Sequence, residues 1–88
     1  MNTFSLTVAT PDGSKFQGEA IGLFLRGAEG DLAILAGHMP FITAVQAGKC
    51  RIHLPDDDEK SATLDGGLLT VSDKAVTLLS GSFQWDEE

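Results

Sequence analysis

Phe4-Ser5-Leu6-Thr7-Val8-Ala9-Thr10, followed by Pro11-Asp12-Gly13, is the stretch that decides the fold class. Phe4, Leu6 and Val8 recur with period two, so their side chains share one face of an extended strand. Pro11 presets one backbone dihedral and Gly13 tolerates the opposite sign, which marks a turn. The same grammar repeats along the chain. Lys49 to Leu54 alternates with Cys50, Ile52 and Leu54 inward and Lys49, Arg51 and His53 outward. Pro55-Asp56-Asp57-Asp58-Glu59 reads as a polar hairpin tip, and Ser61 to Leu64 as the returning strand with Ala62 and Leu64 inward.

Between these landmarks, Phe16 to Arg26 reads as one extended run with Ala20, Gly22 and Phe24 on one face and Ile21, Leu23 and Leu25 on the other. Apolar residues on both faces predict a core on one side and a partner on the other. Gly18 and Gly22 are candidate bulges or points of close backbone approach. Gly27-Ala28-Glu29-Gly30-Asp31 is a tight loop, Leu32 to Leu35 a short strand, Gly37-His38-Met39-Pro40-Phe41 a break, and Ile42 to Val45 a further strand. Leu68, Val71, Ala75 and Leu78 also fit helical spacing. However, Thr70, Val71, Val76 and Thr77 are β-branched and Ser72-Asp73-Lys74 is turn-like, so the segment predicts strands at residues 67–72 and 75–80. The expectation is an all-β fold, a flattened sandwich or barrel of about eight to ten short, mostly antiparallel strands.

The chain has 88 residues, which makes a single domain over residues 1–88 with no linker, repeat or low-complexity tract. Ten glycines and three prolines divide it into short gaps that suit strands. Hydrophobic residues are 42% of the chain, enough for one core, and no apolar run approaches the ~20 residues of a membrane span. Met1-Asn2-Thr3-Phe4 lacks the basic and apolar regions of a signal peptide, and the lone Cys50 has no internal disulfide partner. The chain reads as intracellular and soluble. Thirteen acids against six bases give a formal charge of -7. That balance argues against a nucleic-acid partner, which needs a basic face, and against direct docking on anionic lipid.

Residue chemistry offers little for catalysis. There is no tyrosine, and Gly66-Gly67 lacks the further glycine of a dinucleotide loop. His38, Cys50 and His53 are the only soft ligand set, and Cys50 and His53, three apart on a strand, point to opposite faces. Cys50 reads as a small buried apolar residue and His53 as a solvated one. The run Asp56 to Glu59 lacks the spacing and central glycine of a calcium loop. His38 sits in a constrained loop with no nucleophile or acid beside it, and is either a local backbone partner or an interface residue. No catalytic residue, metal site or cofactor is expected.

The most specific stretch is Gly30-Asp31-Leu32-Ala33-Ile34-Leu35-Ala36-Gly37-His38-Met39-Pro40-Phe41-Ile42-Thr43. It resembles the E-G-E-L-G-I-L-P-G-H-A-P-L-L-T signature of the F-type ATP synthase epsilon subunit. Phe4 to Val8, Phe16 and Gly18, the turn at Gly48, Gly66-Gly67 before Leu68 to Val71, and Lys74 to Leu79 also fall where that family would have them. Two positions depart: Asp31 replaces the usual glutamate and shortens its reach by one methylene, and Ala36 replaces the usual proline. The sequence stops at Trp85-Asp86-Glu87-Glu88, where the resembled subunits continue into a helical hairpin. The expectation is a naturally short form, to which the hairpin's inhibition of ATP hydrolysis and its ATP binding are not carried over.

The resemblance implies a non-catalytic rotor subunit of the central stalk of a proton-translocating ATP synthase, held between the gamma subunit and the polar loops of the c-ring. It implies a location on the cytoplasmic face of the energy-transducing membrane, peripheral through the complex. Asp31, with Glu29 beside it, corresponds to the acidic position facing the c-ring loop. The other reading of Asp31 is a turn carboxylate capping local N–H groups. His38 corresponds to a position near gamma, with Thr43 and Thr10 on the same side. A free-standing sandwich binding a peptide or sugar is the alternative, and it needs an exposed aromatic platform or pocket. The only tryptophan, Trp85, is expected at a frayed end. A small hydrolase is the third and weakest reading.

Overall fold

A computed structural model describes residues 2–37 and 39–86. The described residues form ten strands: β1 (Phe4–Thr10), β2 (Gly13–Ala20), β3 (Gly22–Gly27), β4 (Gly30–Leu35), β5 (Phe41–Val45), β6 (Gly48–His53), β7 (Glu59–Leu64), β8 (Gly67–Val71), β9 (Ala75–Ser80) and β10 (Phe83–Trp85). They join in one sheet ordered β10-β7-β6-β3-β5-β8-β9-β1-β2, with β4 paired to β3 off that path. Every pairing is antiparallel except β1 with β9, which run parallel. The sheet curls until its two ends meet through side chains, with the Phe16 and Trp85 ring centroids 6.2 Å apart and edge-on. This is the all-β sandwich or barrel expected, and no helix among the described residues is long and apolar enough to cross a membrane.

The period-two residues fill the interior. Register places Leu6, Val76, Val71 and Phe41 in one inward row and Val8, Leu78, Leu69 and Thr43 in the next. Leu6, Val8, Leu69 and Leu78 are fully buried, and Leu23, Ile34, Ile52 and Ala62 close the core from the opposite half. The segment with two readings resolves as strands because Val71 and Val76 pair across the Ser72 to Lys74 turn, both buried. The Ser72 amide donates to the Ala75 carbonyl at 2.8 Å, closing that turn.

Three details differ from the sequence reading. The run from Phe16 to Arg26 is two strands broken at Ile21, whose amide donates instead to the His53 carbonyl at 2.8 Å. The break shifts the phase, so Ala20 enters the core although it was placed with Phe24, which lies outside. The bulge sits at Lys15, where the β1–β2 register slips between Val8 and Ala9, whereas Gly18 pairs with Leu6 in step. Gly22 is a close approach, since a Cβ there would meet the Phe24 ring at 3.0 Å. Trp85 is not frayed: β10 pairs with β7, and its ring packs edge-on against Phe83 at 5.1 Å. The Lys49 ammonium, by its hydrogen bond, then the Thr63 hydroxyl hold the following Asp86 carboxyl below its ordinary range.

Gly67 and Ser80 lock the centre. A Cβ on Gly67 would overlap the Leu79 carbonyl oxygen on β9. The neighbouring Ser80 is the one buried polar residue of the described set, and its hydroxyl lies 2.6 Å from the Gly66 carbonyl and 2.9 Å from the Ser82 carbonyl. The Asp65 carboxylate accepts from the Ser82 amide at 3.0 Å, so the two turns flanking β8 and β10 are tied together. We expect Gly67→Ala to cost more than about 3 kcal/mol, because backbone must move. Gly18→Ala, with its nearest neighbour a ring atom at 3.6 Å, should stay within about 1 kcal/mol in urea unfolding.

Cys50 is buried on β6, opposite in facing to His53, so the two do not share a ligand position. Burial pushes the thiol up from its usual value of 9.0 to about 12. The folded state therefore keeps the neutral thiol while the unfolded chain ionises above its own, lower value. The stability from this group is complete below pH 9 and declines as pH rises towards about 12. A thiol reagent at pH 8 should leave Cys50 unmodified in the native chain and react fully in denaturant. Cys50→Ala should flatten the fall of stability above pH 9.

Candidate functional interface

The outward sides of β5, β8, β9 and β1 carry two neighbouring rows of side chains. Register aligns Ala44, Leu68, Leu79 and Ala9 in one row, and Ile42, Thr70, Thr77 and Thr7 in the row beside it. Neither row contains a charged residue, in a chain where 22% of residues are charged. Ile42 is 67% exposed, Leu79 48% and Leu68 44%, so the apolar side chains are not covered by the chain itself. Three exposed aliphatic side chains set side by side in rows without charge make this face the candidate contact surface.

The local cause lies in the sequence. Leu68-Leu69 and Leu78-Leu79 are doubled leucines, so one of each pair enters the core and the other must face out. Phe41 and Val45 turn inward on β5, which sends Ile42 and Ala44 outward. The two-sided run Ile21 to Leu25, entering β3, is the other segment with apolar residues on both faces. There the Phe24 ring is partly covered by the chain: the Arg51 guanidinium lies 5.0 Å from its centroid, and His53 packs edge-on at 6.2 Å.

Thr10 closes one end of the apolar rows. Ala9 pairs with Leu79, and the Thr10 hydroxyl accepts the Asp12 amide at 3.2 Å in the β1–β2 turn. Met39 and Pro40 lead into β5 at the other end, with Met39 78% exposed. His38 lies outside the described residues. Thr43 is half-buried on the inward side of β5, in step with Leu69 and Leu78, so its backbone rather than its side chain borders the rows.

Glu29 and Asp31 stand elsewhere. They belong to the β3–β4 hairpin, and β3 touches β5 only at Gly27 opposite Val45. Asp31 does not cap turn amides: it pairs across the strands with Arg26, at 3.5 Å, and its side chain is 87% exposed. Glu29 is exposed at the tip, where the Gln46 side-chain amide donates to the Ala28 carbonyl at 3.1 Å and steadies the turn. The molecule thus presents a neutral apolar face on one strand group and an acidic hairpin tip on another. Among the described residues no group of three metal-ligating side chains is present.

Known proteins share this chain's sequence and shape. It is 37% identical over 86 residues to the "ATP synthase epsilon chain, sodium ion specific" of Acetobacterium woodii, covering 98% of this chain and 65% of that protein. It is 39% identical over 80 residues to the "ATP synthase epsilon chain" of a Psychrobacter species, covering 91% and 58%. The chain therefore spans less than two thirds of the length of these relatives. Its backbone resembles a chain of the Euglena gracilis mitochondrial ATP synthase, OSCP/F1/c-ring, with a TM-score of 0.90 at 20% identity, covering 97% of this chain and 54% of that one. A chain of the Tetrahymena thermophila mitochondrial ATP synthase central stalk and c-ring matches at 0.77 and 13% identity, covering 91% and 64%. At such identities the likeness is one of fold. The family profile described as "ATP synthase, Delta/Epsilon chain, beta-sandwich domain" matches residues 3–86, and the chain belongs to that family.

Proposed function

We propose that this chain is a non-catalytic rotor subunit of the central stalk of a proton-translocating F-type ATP synthase. It binds the gamma subunit through the charge-free rows on β5, β8, β9 and β1, and the polar loops of the c-ring through Glu29 and Asp31. It is peripheral to the membrane through the complex, on its cytoplasmic face. The observation that carries this reading is the pairing of two chemically distinct surfaces on one closed sheet. A part that transmits torque needs two adhesive surfaces and a stiff body between them, and a packed interior has crystal-like density and low compressibility.

Magnitudes say what each surface contributes. Four strands by two side-chain rows cover about 19 Å by about 13 Å, roughly 250 Å². A stable interface needs on the order of 800 Å² per partner. The rows therefore form the dry centre of the contact, and the β1–β2 turn with Thr10 and the 37–40 loop with His38 supply its rim. Thr43 supports the rim from beneath. On the hairpin, Asp31 is already shared with Arg26. Such an exposed pair is worth less than about 1 kcal/mol, so a c-ring cation can take the carboxylate over at little cost.

The purified chain should bind gamma at micromolar concentration and hydrolyse no ATP alone. Leu68→Asp and Leu79→Asp, both at exposed positions, should leave the fold intact and weaken gamma binding at least about tenfold. Unchanged retention on immobilised gamma would refute the assignment of this face. Asp31→Arg should leave ATP hydrolysis by the assembled complex in place while ATP-driven proton pumping into vesicles falls. Asp31→Asn should show a smaller loss, and full pumping in both variants would reject a charge-dependent role.

A further inference from the structure

A cleft of about 610 Å³ opens on the outer side of the other strand group, between β3 and β6. Its origin is a ladder that stops early. β3 and β6 pair at Gly22, Leu23 and Phe24, and no further. Continuing the register would set Arg26 directly across from Lys49, two cations facing each other on neighbouring strands. Like charges so placed repel. The strands part there instead, and β5 takes over at Gly27 while the Gln46 amide donates to the Arg26 carbonyl at 2.9 Å.

The result is a cluster of three cations, each with a carboxylate partner, in an acidic chain. Arg26, Lys49 and Arg51 all line the cleft, half of the six bases in the sequence, and Asp31 is its only acidic lining residue. Phe24 and Gln46 stand among its uncharged lining residues. Each cation is at present tied back by one carboxylate: Arg26 by Asp31 at 3.5 Å, Lys49 by Asp86 at 3.1 Å and Arg51 by Glu59 at 2.9 Å. All three pairs are solvent-exposed, so each contributes little and exchanges readily. Each guanidinium also offers five donors, of which a single carboxylate uses a fraction.

We propose that this cleft is a binding site for a diphosphate-bearing small molecule. Its volume lies within the usual range for small-molecule sites, about 300 to 1,000 Å³. Lys49 and Arg51 are two residues apart on the same face of one strand, about 7 Å between backbones, and their long side chains can converge on one polyanion. Arg26 reaches in from the opposite wall and grips the phosphate pair from its other side. Guanidinium groups bind phosphate oxygens in a bidentate, charge-assisted manner. The Phe24 ring, half-buried with Arg51 5.0 Å from its centroid, is part of the lining. The site lies off the charge-free rows on β5, β8, β9 and β1, and shares the Arg26–Asp31 pair with the hairpin surface read as facing the c-ring.

The test uses the full chain, isotopically labelled for NMR, with inorganic pyrophosphate as probe at low ionic strength. Saturable amide shifts are expected, confined to Arg26, Gln46, Gly48, Lys49 and Arg51. Arg26→Gln and Lys49→Gln should each weaken binding about fivefold to tenfold. Lys74→Gln, a surface cation outside the cleft, should leave it unchanged, and thermal unfolding of each variant verifies the fold. Uridine diphosphate distinguishes the sources of the group: binding equal to pyrophosphate or tighter identifies an organic diphosphate, and exclusion identifies the inorganic ion. Shifts that fail to saturate at millimolar pyrophosphate, or equal losses in Lys74→Gln and the cleft variants, would overturn the proposal.

Discussion

Register is decided where β8 meets β9, and the missing side chain of Gly67 is what decides it. Both strands carry doubled leucines, Leu68-Leu69 and Leu78-Leu79, so hydrophobicity alone would accept either leucine inside. A slip by one residue would exchange the faces of a whole strand. Gly67 removes that freedom, because its bare Cα sits against the Leu79 carbonyl where no other residue fits. Ser80, buried beside it and within 2.6 Å of the Gly66 carbonyl, fixes the same alignment by hydrogen bonding. With β8 and β9 in step, Leu69 and Leu78 enter the core and Leu68 and Leu79 face out. The core and the candidate interface are two sides of one alignment.

The two halves of the sheet take different roles from there. β5, β8, β9 and β1 pair over most of their length and make a continuous, neutral outer face. β3 serves three neighbours in turn, β4 along its length, β6 at one end and β5 at the other. That divided service leaves a projecting hairpin with Glu29 and Asp31, and a cationic gap beside it. The neutral face and the acidic hairpin are thereby kept on separate strand groups.

Much of this was legible in the residues. The alternation in Phe4 to Thr10 and in Lys49 to His53 survives as β1 and β6, because period two is a local property of the backbone, while Leu54 falls past the end of β6 and is half-buried. The hairpin tip at Asp57 was legible too: its φ of 71° is a conformation that aspartate tolerates better than most residues. What could not be read was non-local. The break at Ile21 depends on a hydrogen bond to His53, more than thirty residues away. The packing of Trp85 depends on β10 finding β7 and on the sheet ends meeting at Phe16. The apolar rows depend on four strands being brought side by side, so no single segment announces them. For the acidic hairpin, the sequence named Asp31 but not its cross-strand partner Arg26, since that pair exists only once β3 and β4 align.

The most direct test of the account is methyl NMR of Ile42, Leu68 and Leu79 in the chain with and without the gamma subunit. The account predicts that these three methyl signals shift together on complex formation while those of Leu6, Leu23 and Ile52 in the core stay in place. A bound complex in which the three outward residues keep their free-state signals, and the changes fall on other strands, would contradict it.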